Sequence, residues 1–158
     1  MRRRTYLVDM RPTIQIVLDA ADPHELAAWW AETLEWEVEP TDENFIRKMI
    51  DDGYATEADT REFRGQLVWR EMGVIREPDG PGRMLFQLVP EPKTTKNRMH
   101  LDAYFGDGSS PVAPTEQARD EIRDRLVARG ATFLYSETQG PFAWHTLADP
   151  EGNEFCIA

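Results

Sequence analysis

The chain reads as an α+β protein made of two tandem βαβββ modules. Two observations predict this. The order strand, helix, strand, strand, strand occurs twice, and a polar connector containing Pro92 divides the two runs. Neither run, at roughly 60–75 residues, would easily bury a core alone, so the two are expected to pair in one domain spanning residues 1–158. Module one covers about residues 12–90 with an insertion at 41–65, the connector is 91–97, and module two covers about 98–158.

Each element has a local reason. Thr13 to Leu18 is β-branched and aliphatic, the composition of a buried strand. Asp22, Pro23 and Glu25 then supply an N-cap, an N1 proline and capping-box spacing. Leu26, Trp30 and Leu34 recur every four residues and predict a helix with one apolar stripe. Glu35 to Glu39 alternates as a short strand with Trp36 and Val38 on one face. In the insertion, Asp42 can cap a short helix through Phe45, Met49 and Ile50 that stops at Gly53; the rest reads as a polar surface excursion. Leu67–Ile75 and Arg83–Val89 are expected as two strands around the loop Glu77–Gly82.

The second run repeats the order. Arg98 to Phe105 alternates as a strand. Ser109-Ser110-Pro111 leads to a helix with Ala118, Ile122 and Leu126 on one face, closed by Gly130. Ala131–Ser136, Phe142–Leu147 and Glu154–Ile157 complete the set. Between the last two, Asp149-Pro150-Glu151-Gly152-Asn153 is a turn by composition: Pro150 fixes φ, Asp149 can accept from the amides ahead of it, and Gly152 supplies a left-handed residue.

Composition narrows the function classes. With 41% hydrophobic and 30% charged residues the chain is of ordinary globular type. A formal net charge of −11 repels phosphate backbones, which excludes nucleic acid as an expected partner, and Arg2-Arg3-Arg4 is too short a basic run to reverse that. One cysteine, Cys156, leaves no internal disulfide and fits a reducing compartment. No apolar run approaches the ~20 residues of a membrane span, and Asp9 and Arg11 interrupt the only leader-like stretch. A soluble, cytoplasmic protein is expected.

The twice-repeated order, the His-bearing strand RMHLD opening the second run, and the closing ADPEGNEFCIA together resemble the vicinal oxygen chelate superfamily. IQIVLDAADPHELAAWW and LFQLVPEPKTTKNRMHLD carry further matches. The chain looks most like glyoxalase-like and bleomycin-resistance-like members. The resemblance implies a curved mixed sheet around a pocket for a small organic molecule, and often a homodimer.

In metal-binding members the ligands come from the first and last strands of each half. Motif matching carries these positions to Gln15, Gln87, His100 and Cys156. The two usual carboxylates are replaced by Gln87 and Cys156, leaving only an imidazole and a thiolate as strong donors. Such a set would suit zinc rather than magnesium or manganese.

Alternation puts Asp102 on the face of His100 and Glu154 on that of Cys156, an arrangement from which His100 and Asp102 can form an acid–base unit. His100, Asp102 and Glu154 are therefore the catalytic candidates of an isomerase or lyase. Trp69, Trp144 and Arg98 are candidates for ligand contact, the tryptophans by stacking and Arg98 by charge. His24 is expected in solvent, and periodicity does not decide whether Trp144 or His145 faces the pocket. The rival reading is a protein that binds a small molecule such as an antibiotic without turnover. A third is an interaction module contacting another protein through residues 41–65.

Overall fold

In a computed structural model, residues 14–105 and 114–158 are described. The expected strand start at Thr13, the lead-in Ser109-Ser110-Pro111 and the basic Arg2-Arg3-Arg4 lie outside them. No helix among the described residues is long and apolar enough to cross a membrane.

Module one contains β1 (Ile16–Ala20), α1 (Pro23–Leu34), β2 (Glu37–Val38), α2 (Glu43–Asp51), β3 (Thr60–Phe63), β4 (Gln66–Trp69), β5 (Met72–Arg76) and β6 (Arg83–Leu88). Module two contains β7 (Leu101–Ala103), α3 (Glu116–Ala128), β8 (Thr132–Gln139), β9 (Phe142–Ala148) and β10 (Glu154–Ile157). One sheet has the order β1-β6-β5-β2 and the other β7-β10-β9-β8, so the same topology recurs. In each, the first and last strands pair parallel and the remaining pairs are antiparallel.

One core unites the two modules. Leu26, Trp30, Ile75, Met84 and Phe86 from the first pack with Leu126, Leu147, Phe155 and Ile157 from the second. Helix α1 is central to it. Trp30 lies edge-on to Phe155 at 5.0 Å, and the indole of Trp29 donates to the Arg129 carbonyl at 2.9 Å. Arg129, the C-cap of α3, reaches back to Thr33 and the Trp29 carbonyl. Gly130 follows with φ +101°, the left-handed residue its position demands.

Both capped helices form as their sequences predict. Asp22 accepts from the amides of His24 and Glu25, Pro23 sits at the first turn, and Asp42 accepts from the amide of Phe45. The expected role of Glu25 is different: it pairs with Arg64 at 3.0 Å, and the amide of Asp22 is taken by Glu151 at 2.9 Å. The capping carboxylate thus comes from the other module.

Four expectations are corrected. The stretch 67–75 is two strands, β4 and β5, because the chain turns at Arg70-Glu71 and β4 pairs with β3 as a separate hairpin. The insertion is therefore folded and docked on α1: Arg61 pairs with Asp22 at 3.1 Å, and Glu43 accepts from the amide of Leu67. His24, expected in solvent, is buried; its Nε2 donates to the Trp69 carbonyl at 2.8 Å and its ring stacks on Phe63. Strand β7 begins only at Leu101, so His100 and Arg98 stand in the segment leading to it.

Candidate functional site

The registers of the two sheets define equivalent positions. Leu18-Asp19-Ala20 of β1 face Phe86, Gln87 and Leu88 of β6. Leu101-Asp102-Ala103 of β7 face Phe155, Cys156 and Ile157 of β10. The same Leu-Asp-Ala triplet thus occupies the same place in each module, with its leucine opposite a phenylalanine. Asp19 corresponds to Asp102, and Gln87 to Cys156.

By this correspondence the module-one counterpart of His100 is Val17, where motif matching had put Gln15. Gln15 lies four residues before Asp19, the partner of Gln87, so roughly 13 Å along the strand separates them. Its side chain is engaged by Arg83. The sequence signal for this register correspondence is the repeated triplet itself.

The row through Cys156 has a defined chemistry. Thr146 lies 3.6 Å from the sulfur, and Asp102 is the register partner of Cys156. Burial pushes the thiol up, and the neighbouring Asp102 carboxylate adds to the rise; the Thr146 hydroxyl and Lys96 pull the other way. Cys156 is a protected thiol.

His100 is exposed. The Lys96 ammonium donates to its Nε2 at 2.5 Å, with the Asn97 carbonyl 3.2 Å away. Glu154 accepts from Lys93 at 3.1 Å and from the amide of Asn97 at 2.9 Å, which ties the connector to β10. Burial alone would raise its pKa, yet the backbone amides of Asn97 and Glu154 together with Lys93 hold the carboxyl below its ordinary value.

These donors do not make a metal centre. Val17 has none, Gln87 offers only an amide, the Cys156 thiol is held protonated, and the His100 lone pair is taken by an ammonium.

A cleft of about 630 Å³ opens at the seam between the modules. Val17, Leu18 and Trp30 of module one line it together with Lys96 and Arg98 of the segment before β7, Leu101 and Glu154. Its volume is in the range typical of small-molecule sites. Of the residues singled out from sequence it gathers Arg98 and Glu154. Trp69 lines a second cavity beside the insertion. Trp144 is half-buried, and strand alternation puts it on the sheet face of Thr146 and Cys156. His145 points the opposite way into α3, where Nε2 donates to Asp120 at 3.0 Å and Ser136 donates to Nδ1 at 2.8 Å.

Two βαβββ modules joined by one core, with a cleft at their seam, are the architecture of the vicinal oxygen chelate superfamily. The chain belongs to the glyoxalase-like domain family, whose model matches residues 15–158.

Solved structures with this architecture include a hypothetical protein from S. aureus (11% identity, TM-score 0.56, covering 94% of this chain and 96% of that one). A glyoxalase-related enzyme from Fulvimarina pelagi is similar at 16% identity and TM-score 0.56, covering 94% and 88%. A lactoylglutathione lyase from Agrobacterium tumefaciens is similar at 12% identity and TM-score 0.52, covering 94% and 93%. At these identities the likeness is one of fold. No curated protein sequence matches.

Proposed function

We propose that this glyoxalase-like protein binds a small organic molecule in the seam cleft and holds it without turnover. The observation that carries this reading is the cleft itself. Its lining combines apolar residues such as Val17 and Leu18 with the polar groups of Lys96 and Arg98, a combination that suits a compact amphipathic ligand. The groups that would do chemistry are spoken for: His100 Nε2 by Lys96 and Glu154 by Lys93 and Asn97, while burial keeps the Cys156 thiol protonated. A Lewis-acid mechanism through zinc has no adequate ligand set here.

A second reading, an isomerase or lyase, rests on one specific cluster: Lys96, His100, Asp102 and Cys156 lie together at the start of β7. If a ligand displaced the Lys96 ammonium, His100 would be released as a base.

The discriminating experiment is a thermal-shift screen against planar antibiotics and small metabolites, with each stabilising compound then followed by mass spectrometry. The binding reading expects saturable stabilisation, recovery of the compound unchanged, and loss of the shift in Val17→Trp, which fills the cleft. Consumption of a hit that stops in His100→Ala would establish the enzyme instead.

A further inference from the structure

We infer that the insertion in module one builds a second binding site, selective for organic ammonium cations. The cavity beside it, about 440 Å³, shares no lining residue with the seam cleft. Phe45 and Met49 come from α2, Tyr54 from the loop that follows, and Trp69 and Glu71 from the end of β4 and the turn after it. Asp59 also lines it, and the lining contains no lysine or arginine.

The chemistry is that of an aromatic cage. Faces of tryptophan, tyrosine and phenylalanine attract a cation through the ring quadrupole, most strongly for a weakly hydrated ammonium carrying alkyl groups. Methionine adds a soft, polarisable wall. Two carboxylates supply the counter-charge, and a protein with net charge −11 draws cations toward it.

Asp59 is arranged to stay ionised. Its Oδ2 accepts from the amide and hydroxyl of Thr56 at 2.7 and 2.8 Å, and among the described residues Oδ1 accepts no hydrogen bond. Arg70, whose charge acts on Asp59, makes no hydrogen bond to it among the described residues and donates instead to the carbonyls of Ala58 and Thr60.

The exposure pattern points the same way. Tyr54 is 81% and Phe45 51% exposed, an unusual placement for aromatic rings that have a buried helix face available nearby through Ile46. Rings left in water around an acidic cavity are accessible to a ligand that enters it.

The site is tested by isothermal titration of the full chain with choline and with 3,3-dimethyl-1-butanol, which has the same shape without the charge. Choline should give saturable heat, and the neutral compound should bind at least about fivefold more weakly. Glu71→Gln and Tyr54→Leu change exposed side chains, and each should weaken choline severalfold while leaving the melting temperature in place. Phe45→Leu should weaken it as well, with circular dichroism checking that α2 persists. Equal binding of the two compounds, absence of saturable heat at tens of millimolar choline, or undiminished affinity in all three variants would overturn the proposal.

Discussion

The indole of Trp30 donates to the buried carboxylate of Asp149 at 3.0 Å, joining the helix of module one to the closing turn of module two. Asp149 also accepts from the amides of Glu151 and Asn153 and from the Asn153 side chain, so one 2%-exposed carboxylate organises the whole turn. Glu151, held in place by that turn, accepts from the amides of Ala21 and Asp22 at 2.6 and 2.9 Å and caps α1. The turn is therefore a clasp between modules.

Asp149→Ala should destabilise the protein by about 3 kcal/mol, since it leaves several buried donors without an acceptor. Trp30→Phe removes one of those donors and some packing. A double-mutant cycle in urea denaturation should show coupling of about 1 kcal/mol or more between the two positions. Additive losses would mean that the bond carries no specific energy.

The sequence made the turn legible because Asp, Pro and Gly act locally: Gly152 adopts φ +90° as its place in the turn requires. Helix α1 was legible for the same reason, through Asp22 and the Leu26–Trp30 spacing. What the sequence did not show was that Glu151 would replace Glu25 as the capping partner, because that contact joins residues far apart in the chain. His24 was misjudged on similar grounds, its burial being supplied by the β3–β4 hairpin. Motif matching points to His100 and Cys156 as candidates, but the engagement of Nε2 by Lys96 and the burial of the thiol depend on packing. The repeated Leu-Asp-Ala triplet marks the register directly and sets Val17, rather than Gln15, opposite His100 in the module correspondence.

Gly73 shows how closely α1 approaches its sheet. A Cβ there would stand 2.3 Å from the Pro23 carbonyl oxygen and 3.0 Å from the Ala27 side chain. Both neighbours belong to a capped helix clamped by Glu151 and Arg129, so little relaxation is available. Gly73→Ala should cost about 1–3 kcal/mol by overpacking, read as a lowered urea midpoint with unchanged slope. A stability equal to wild type would mean that α1 can move away freely.

Glu39 and Arg83 provide a pH signature. Arg83 donates through Nε and Nη2 to the two carboxylate oxygens at 2.7 and 2.9 Å. That bond holds Glu39 below its ordinary value of 4.5 against the opposing effect of burial. A depressed folded pKa gives stability that is fully present above the unfolded value and is lost as pH falls through the folded one. The pair is partly exposed, so its contribution should stay below about 1 kcal/mol. Arg83→Met should lower the melting temperature at pH 7, and the gap from wild type should narrow below about pH 4.5. A gap that is constant down to pH 3 would remove the pair from the acid response.

Cys156 tests the chemistry of the module-two row. Burial and the Asp102 carboxylate raise its pKa above the ordinary 9.0, so the folded protein holds the thiol proton more tightly than the unfolded chain. The associated stability is complete below the unfolded pKa and declines as pH rises through the folded one. Alkylation at pH 8 should accordingly be slow in the native state and rapid in denaturant, because the thiolate is the nucleophile and Cys156 is buried. Asp102→Asn removes the carboxylate and should move the pH–rate profile of alkylation to lower pH. Glu154→Gln, whose carboxylate engages the connector, should leave that profile in place. Native alkylation as fast as that of the unfolded chain would show that the thiolate is freely available, and would reopen Cys156 as a metal ligand or nucleophile.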